Sequence, residues 1–384
     1  MITTLAIENY RSLSRLIMPL ERLTVVTGAN GTGKSSLYRA LRLLADAARG
    51  EAVAALARDG GLRSTLWAGA ENPAQGAGRS GPVGLRLGFA GDEFGYAVDF
   101  GHPVPARSLF DLDPEIKAET TWAGPVLRPA AVLSERKGPA VRTLTADGGW
   151  HRSAGELRPY DSMLSEFADP RLAPDLLRLR ERIRSWRFYD HVRTDAGAPA
   201  RAARVGTRTP VLGHDGADLA AALQTIREVG DAKALEEAVD GAFPGSRLSV
   251  DSQSGRFELG LHQPGLMRPL SAAELSDGTL RYLLWTAALL TPRPPALLVL
   301  NEPEASLHPE LLPRLADLIV TGAQETQIVV VTHAKELAGE LARRSAGRPF
   351  GVNATELVKD EYGQTEVAGR EGPLDQPPWH WPKR

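Results

Sequence analysis

Cysteine is absent from this sequence of 384 residues, and so are long apolar runs. Without cysteine the chain has no disulfide, no thiolate zinc ligand and no thiol nucleophile. The eight histidines are scattered without close ligand spacing, which argues against a structural metal site. The longest apolar run, Tyr282 to Leu290, is far shorter than the ~20 residues of a membrane-spanning helix. Charges also interrupt the N-terminal apolar residues, so we predict a cytoplasmic protein without a secretory signal or membrane span.

A large net charge is missing as well, because the formal charge is −2 at pH 7. This argues against a protein that coats nucleic acid through its overall charge, although a local basic patch is still compatible with it. An apolar content of 42% and a charged content of 24% are typical of a globular protein with a substantial core. Neither an internal repeat nor a sustained heptad pattern is present, so long coiled-coil arms are not predicted.

The order of apolar segments predicts an α/β chain with a mixed insertion between its two ends. Strands at Leu5–Ile7 and Leu23–Thr27 precede a glycine-rich turn and a helix from Lys34 to about Ala48. Val83–Phe89 and Phe94–Phe100 alternate apolar with small or polar residues, which predicts a hairpin. A glycine- and alanine-rich loop is predicted at residues 69–82, and helices follow at about 160–187, 217–229 and 233–242. The last third alternates strands and helices at 246–250, 256–261, 277–290, 296–300, 309–320, 327–331 and 335–344, and a hairpin at 355–359 and 364–368 ends the pattern.

The first motif with chemical content is GANGTGKSS, which fits the phosphate-loop pattern GxxxxGK[ST]. Its glycines let several backbone N–H groups face one phosphate group, and Lys34 adds a charge between the β and γ phosphates. The hydroxyl of Ser35 is placed to bind Mg²⁺, and the following helix points its positive end at the anion. An apolar strand before the motif and an amphipathic helix after it argue against a merely structural turn. The predicted nucleotide-binding residues are Gly28, Ala29, Asn30, Gly31, Thr32, Gly33, Lys34, Ser35 and Ser36.

The second motif, ALLVLNEPEASLHPEL, joins a buried strand to an acidic turn. The carboxyl end of such a strand is where an α/β sheet presents its ligand-binding groups. Glu302 stands where a carboxylate orients or deprotonates an attacking water. Asn301 occupies a position at which a nucleotide-hydrolysing enzyme normally has an acid. On the alternative interpretation, both residues simply end a strand before the turn at Pro303.

Two further motifs carry a resemblance to a known class. LSDGTLR, about twenty residues before the acidic strand, resembles the signature motif of ABC-type ATPases. In that class the serine and glycine, here Ser276 and Gly278, bind the γ-phosphate of ATP held by the other subunit; Ser276 is also a predicted helix N-cap. QIVVVTHAKEL ends an apolar strand at His333, which resembles the histidine that senses the γ-phosphate.

With the opening LAIENYRSL and the long span between Lys34 and Ser276, this order resembles the RecF/SMC-like branch of ABC-type ATPases, specifically the AAA family or RecF-like predicted ATPases. The resemblance implies an α/β P-loop NTPase head with a mixed central sheet, an antiparallel β-subdomain and a helical insertion. It implies an N-terminal ATPase lobe with Walker A and the β-subdomain (1–150), the insertion (151–245), a C-terminal lobe with signature, Walker B and switch histidine (246–370) and a tail (371–384).

The resemblance also assigns roles to single residues. Glu302, His333 and Lys34 are implied to be catalytic, with ATP and Mg²⁺ as ligands. Ser35 and Asn301 are implied to hold the metal, and the uncharged Asn301 favours slow hydrolysis because it accepts a hydrogen bond from a metal-bound water without carrying charge. Arg11 is implied to reach the nucleotide, although it could equally be a surface residue.

Because the signature acts on the opposite chain in that class, the resemblance implies a head-to-head homodimer through ATP, with Ser306 and His308 near the seam. It further implies a switch that acts on DNA or a separately encoded effector, in DNA repair or anti-phage defence. Two alternatives remain open. One is a nucleotide sensor with negligible turnover that controls a nuclease or toxin. The other is a transporter ATPase subunit, which would have a clear Q-loop and a shorter insertion. Neither is present, and Gln75, in a glycine- and alanine-rich loop, is only a candidate for the Q-loop glutamine.

Three other features have simpler interpretations. The arginine-rich helix at 175–187 has an apolar stripe of Leu176, Leu179 and Ile183, which favours an amphipathic helix with a solvated basic face over a nucleic-acid surface. WRFYDH is predicted to pack in the core or at a hinge rather than stack on bases. The tail PPWHW is interpreted either as a docking segment or as a cover for the sheet edge.

Overall fold

The computed structural model describes residues 1–67, 69, 84–104, 109–110, 112–153, 155–167, 169–190, 192–370, 372 and 375–383. Contacts divide the chain into two units. The first consists of Met1–Glu21, Val26–Trp186 and Thr355–Arg384, and the second of Arg22–Val25 and Arg187–Ala354. Gln75 and nearly all of the predicted loop at 69–82 lie outside the described residues. The four-segment division implied by the resemblance stays a prediction.

The described strands are β1 (Ile2–Tyr10), β2 (Leu13–Pro19), β3 (Leu23–Gly28), β4 (Gly84–Gly91), β5 (Phe94–Gly101), β6 (Glu115–Ala123), β7 (Val132–Lys137), β8 (Ala140–Leu144), β9 (Trp150–Arg152), β10 (Arg187–Tyr189), β11 (Arg204–Val205), β12 (Arg247–Gln253), β13 (Arg256–His262), β14 (Leu270–Ser271), β15 (Leu297–Asn301), β16 (Gln327–Val331), β17 (Val352–Lys359) and β18 (Thr365–Val367). The described α-helices are α1 (Lys34–Arg49), α2 (Ala52–Arg58), α3 (Leu62–Thr65), α4 (Met163–Glu166), α5 (Pro174–Arg184), α6 (Leu219–Val229), α7 (Ala232–Ala242), α8 (Asp277–Leu289), α9 (Leu312–Gly322) and α10 (Lys335–Ser345).

An antiparallel sheet dominates the first unit. Its strand order is β2-β1-β4-β5-β6-β7-β8-β9, and each neighbouring pair runs antiparallel. The predicted hairpin around Gly91 is its β4–β5 pair, in which Leu87 lies opposite Val98. Helix α1 contacts β1 and β4, and it also contacts α5, whose Leu176, Leu179 and Ile183 are buried as predicted. The predicted antiparallel β-subdomain is confirmed.

A second, mixed sheet has the strand order β10-β15-β16-β3-β17-β18. Within the second unit, β10 pairs with β15 and β15 with β16, both in parallel. Strands β17 and β18 form the antiparallel hairpin expected near the C-terminus. Side chains of β15 and β16 belong to one buried apolar cluster with those of α6 to α10, which matches the apolar runs ALLVL and IVVV. The mixed central sheet is therefore confirmed.

Several strands were not predicted, among them β2 and β10, and one predicted helix is divided. Strand β2 carries Ser14 and Arg15, which interrupt its apolar pattern. Strand β10 has three residues and begins at Arg187, where the segment predicted as helical ends. It is a strand because it pairs with β15, and such pairing outweighs the local preference of the sequence. That segment forms α4 and α5, and Pro174 begins the second helix because proline suits a first turn. Within the described ranges, no helix has both the length and the apolar composition to cross a bilayer.

Candidate functional site

The turn between β3 and α1 has the backbone of a phosphate loop. Gly28, Gly31 and Gly33 have φ values of 148°, 80° and 100°, a region that disfavours other residues. A Cβ at Gly28 would lie 2.5 Å from the carbonyl oxygen of Leu357. At Gly33 it would lie 2.6 Å from Oγ1 of Thr365. Glycine is thus required at both positions by crowding as well as by conformation.

The first turn of α1 is suited to a bound anion. Its N-cap is Gly33, which has no side chain to satisfy the free N–H groups, and its first turn contains no acid. Lys34 is buried, and its Nζ donates to the carbonyl oxygens of Gly28 at 2.6 Å and Ala29 at 2.9 Å. Ser35 is exposed on the same turn. A curled loop, a helix N-terminus and a buried cation form a donor set that fits the polyphosphate of a nucleotide, with Ser35 available to a metal.

Several neighbours support this loop within the first unit. Thr32 closes it by donating from Oγ1 to the carbonyl oxygen of Ala29 at 2.8 Å. The hydroxyls of Ser12 and Ser36 lie 3.3 Å apart. Arg11 forms an ion pair with Asp59 at 2.7 Å. To contact the nucleotide as predicted, its guanidinium would have to bind both groups at once or leave Asp59. Ala29, Asn30 and Gly31 are exposed at the tip of the loop.

In the second unit, the carboxyl ends of β15 and β16 bring three predicted residues to one edge. Asn301 is the last residue of β15 and lies opposite Val331, the last residue of β16. Glu302 follows Asn301, and its N–H donates to the carbonyl oxygen of Val331 at 2.7 Å. Nδ1 of His333 lies 3.7 Å from Oε1 of Glu302, and both side chains are accessible. Parallel pairing explains this proximity, because neighbouring parallel strands end at the same edge.

Glu304 holds the backbone that carries His333. Its Oε1 accepts hydrogen bonds from Oγ1 of Thr332 at 2.5 Å and from the N–H groups of His333 and Ala334, each at 3.3 Å. Oε1 also lies 3.4 Å from Nδ1 of His333. The Glu304 side chain is buried, and within the described part of the chain its Oε2 has no hydrogen-bond partner. A buried carboxylate aimed at this loop fixes where the histidine stands.

Asn301 has a partner that sequence reasoning did not identify. Its Nδ2 donates to Oδ1 of Asp190 at 2.7 Å. Asp190 directly follows β10, whose Tyr189 lies opposite Leu300 of β15. Backbone strain marks the same region, since Glu302 has a φ of 48° and Ser306 a φ of 62°. Non-glycine residues in this conformation are concentrated at functional sites.

The signature segment begins a helix and borders an open surface. Ser276 caps α8 by accepting a hydrogen bond from the N–H of Thr279 at 3.1 Å, as predicted. A Cβ on Gly278 would lie 3.1 Å from the carbonyl oxygen of Ser306. Ser276, Gly278, Ser306 and His308 line one open cavity of about 680 Å³. The side chains predicted to meet a second chain therefore share one accessible surface.

Arg201 anchors the segment before the signature. Its guanidinium donates to the carbonyl oxygens of Ala272 at 3.0 Å and Leu275 at 2.7 Å. It also pairs with Asp277 at 2.7 Å. The side chain is 9% exposed, so this arginine holds the backbone before the signature in place. Nearby, hydrogen bonds from Arg268 and from the N–H of Ser271 lower the pKa of Glu274 to about 2.

The fold and the loop together define a P-loop α/β protein with an antiparallel β-subdomain. Residues 23–337 match the family described as "AAA domain, putative AbiEii toxin, Type IV TA system". This match spans most of the chain, and the protein belongs to that family. Membership implies nucleotide binding and confirms the predicted resemblance to AAA-type ATPases.

Comparison with solved structures finds SMC heads. An Smc head bound to the C-winged helix domain of ScpA is 15% identical with a TM-score of 0.49, and the match covers 96% of each chain. The SMC head domain from Thermotoga maritima is 15% identical with a TM-score of 0.46, covering 96% of this chain and 98% of that one. An Smc head domain from Pyrococcus furiosus, bound to the C-terminal domain of ScpA, is 12% identical with a TM-score of 0.46 and coverages of 96% and 95%. A comparison with functionally curated proteins gave no significant match.

Asp190, Glu304 and Arg201 are the functional candidates that sequence reasoning missed or misread. Asp190 lies at the end of a strand of three residues, too short to register as one. Glu304 is visible in the phrase NEPE, but nothing local shows that its side chain turns inward. Arg201 stands among other arginines in a polar stretch, and a basic cluster gives no sign of which member is buried.

Proposed function

We propose that this protein binds ATP with Mg²⁺, hydrolyses it slowly and dimerises head to head while ATP is bound. Two copies would each contribute a phosphate loop and a signature segment to a shared pair of sites. The dimer would act as a switch on a separately encoded effector or on DNA. Family membership supports nucleotide binding, and the remaining steps are the proposal.

The observation that carries the proposal is the pairing of Glu302 and His333 at one sheet edge, with 3.7 Å between Oε1 and Nδ1. A carboxylate beside an imidazole can orient a water and hold its proton, which is the chemistry that attack on a terminal phosphate requires. Both side chains are solvent-accessible, so a water can reach them. In the same proposal, the phosphate loop of the first unit would supply the donor set for the polyphosphate.

Each group then has a defined task. Backbone N–H groups of the loop and Lys34 would bind the β and γ phosphates, and Ser35 and Asn301 would hold the metal. Bound Mg²⁺ would neutralise part of the negative charge on the phosphates. Glu302 would orient or deprotonate the attacking water, while His333 would contact the terminal phosphate. Arg11, in the first unit, would contact the nucleotide.

Dimerisation is proposed because Ser276 and Gly278 open onto a solvent-accessible surface. The open cavity that they line is also lined by Ser306 and His308. A helix N-terminus at Ser276 favours a negative charge there. A nucleotide held by a second chain would bring such a charge, and a closed C2 dimer would satisfy both copies at once.

The effector is proposed to be a protein encoded apart from this chain. The family description names a putative toxin and a toxin–antitoxin system, which supports a switch that controls a toxic activity. The net charge of −2 gives no general attraction to nucleic acid, so DNA stays the less favoured target. The cytoplasmic location expected from the sequence stays a prediction.

The deciding experiment measures steady-state phosphate release by the wild type and by Glu302→Gln. We expect slow release by the wild type and a rate at least ~100-fold lower in the variant, since a water-activating group contributes about 10²–10⁴-fold. Nucleotide binding, measured by fluorescence with a labelled ATP analogue, should be unchanged in the variant. Equal rates for both proteins with intact binding would instead favour the sensor with negligible turnover, because Asn301 lacks the usual charge.

A further inference from the structure

The amide of Asn301 faces a carboxylate from the neighbouring strand. Strands β10 and β15 are parallel, and Tyr189 lies opposite Leu300. Asp190, which directly follows β10, and Asn301, the last residue of β15, therefore lie at the same carboxyl edge of the sheet. Nδ2 of Asn301 donates to Oδ1 of Asp190 across 2.7 Å, although the two residues are 111 positions apart in the chain.

This hydrogen bond explains why residue 301 is an amide. A carboxylate accepts hydrogen bonds but donates none, so Asn301 must turn its NH2 group to Asp190 and its oxygen the other way. An aspartate at 301 would place two like-charged carboxylates in contact, which costs free energy unless a cation lies between them. An acid paired with an amide avoids this repulsion and forms a hydrogen bond instead.

We infer that Asp190 supplies the negative charge that residue 301 lacks, so that the Asp190–Asn301 pair replaces the single acid of a metal–nucleotide site. The inference rests on the proposed function, since it concerns the metal that accompanies ATP. Asp190 would contribute charge, and its hydrogen bond would leave the amide oxygen of Asn301 free to accept from a water bound to the metal. Because Mg²⁺ keeps several waters when it binds to proteins, a neutral acceptor beside a charged one would suit it.

The test is a Mg²⁺ titration of nucleotide binding, which does not depend on turnover. A fluorescent, non-hydrolysable ATP analogue is bound to the purified full chain, first in EDTA and then with increasing Mg²⁺. For Asp190→Asn we expect half-maximal enhancement at a Mg²⁺ concentration about tenfold higher than for the wild type, in the range for loss of a metal-orienting partner. Binding in EDTA should not change, because the phosphate loop is intact.

The swap Asp190→Asn/Asn301→Asp is the discriminating variant. It restores one acid and one amide in contact, so its Mg²⁺ requirement should return to within about threefold of wild type, inside the usual context-dependence of such interactions. Asp251→Asn, an exposed aspartate on β12, makes the same chemical change elsewhere in the second unit and should leave the requirement unaltered. If Asp190→Asn fails to fold by circular dichroism, the swap alone decides.

The outcomes separate the inference from the proposed function. Intact analogue binding with a wild-type Mg²⁺ requirement in Asp190→Asn overturns the inference and leaves ATP binding standing. An equal loss of binding in EDTA and in Mg²⁺ also overturns it, because Asp190 would then have a purely structural role. The inference is also overturned if the swapped variant still needs more Mg²⁺ than the wild type. If the wild type binds no analogue under either condition, the proposed function itself fails and the inference with it.

Discussion

At the scale of single residues, Glu304 is the side chain whose position matters most for His333. One oxygen of its carboxylate accepts from Thr332 and from two consecutive backbone N–H groups. A buried donor that loses its acceptor costs about 1–3 kcal/mol, so the loop after β16 depends on this oxygen. Glu304 contacts the loop that carries His333, so we expect it to act as a positioning residue for that histidine.

Replacing Glu304 by alanine should slow ATP hydrolysis by about ten- to a hundredfold, since small displacements of a catalytic group have effects of that size. ATP affinity should change by less than about threefold, within ordinary context effects. Glu304→Gln keeps one oxygen as an acceptor and should recover most of the rate. Steady-state phosphate release and equilibrium binding of a labelled analogue separate the two quantities.

Glu340→Ala is a suitable control, because Glu340 is another partly buried acid, 13% exposed, whose partners Arg343 and Arg344 lie within α10. It should leave both rate and affinity near wild type. Equal rates for Glu304→Ala and Glu304→Gln would show that the oxygen acceptor is not what positions His333. A parallel loss of affinity would assign Glu304 to general stability instead.

Asp46, on α1, is a buried acid whose ionised form is unfavourable. Burial raises the pKa of its carboxyl above the usual value, more than the nearby Arg42 and Arg49 lower it. A raised folded-state pKa means that its contribution to stability is present below the unfolded pKa and is lost as the pH rises through the folded value. Asp46→Asn should therefore raise the melting temperature at pH 7, and the gain should shrink as the pH falls towards 4.

Thermal melts of wild type and Asp46→Asn across that pH range check this expectation. Asp251→Asn serves as the exposed counterpart and should show no comparable trend. A gain that stays constant with pH would mean that shape or hydrogen bonding, rather than charge burial, explains the effect.

At the scale of elements, the segment around Trp379 packs against the antiparallel sheet. Trp379 lies against Trp122 with ring centroids 5.7 Å apart and against Trp381 at 5.2 Å. A Cβ on Gly88 of β4 would come within 2.6 Å of the Trp379 ring. The segment therefore covers the face of the sheet rather than its edge, which refines the sequence interpretation.

Trp379→Ala should lower the free energy of unfolding by about 2–4 kcal/mol, because a large packed ring is removed from a site with little room to collapse. Urea denaturation followed by far-UV circular dichroism measures this change. Trp150→Ala on β9 is the matched control, since its ring is 45% exposed and contacts mainly Arg142. A loss in Trp379→Ala no larger than in the control would mean that the tail does not support the sheet.

At the scale of the whole molecule, the proposal predicts complementation between two inactive chains. Lys34→Ala should lose nucleotide, and Ser276→Arg should be unable to complete its partner's site. A mixed dimer retains one intact loop facing one intact signature. Because both sites of a C2 dimer are equivalent, random pairing at equal concentrations should restore about a quarter of the wild-type rate.

Phosphate release by each variant alone and by the mixture measures this recovery. Light scattering of Glu302→Gln with and without ATP reports the dimer independently. A mixture as inactive as its components, together with a monomeric mass in ATP, would contradict a site shared between chains. Thr279→Ser in place of Ser276→Arg is a mild control that should keep activity.

The phosphate loop, the amphipathic helices and the buried parallel strands were predictable from sequence, because each depends on neighbours a few positions away. Glycine at 28 and 33 is dictated by backbone conformation, and the cap at Ser276 by the helix that it starts. The antiparallel subdomain followed from alternating segments such as β4 and β5. These properties are local, so the spacing of apolar residues along the sequence predicts them.

Contacts between segments that are far apart in the sequence could not be predicted from local patterns. The acid beside Asn301 comes from a strand of three residues, and pairing with β15 is what places it there. Whether Glu304 turns inward, which loop arginine is buried and which face the tail covers depend equally on tertiary packing. Local sequence patterns show which side chains are present and which helix, strand or loop carries them. Which of these side chains contact one another depends on the free energy of packing segments that are distant in the sequence.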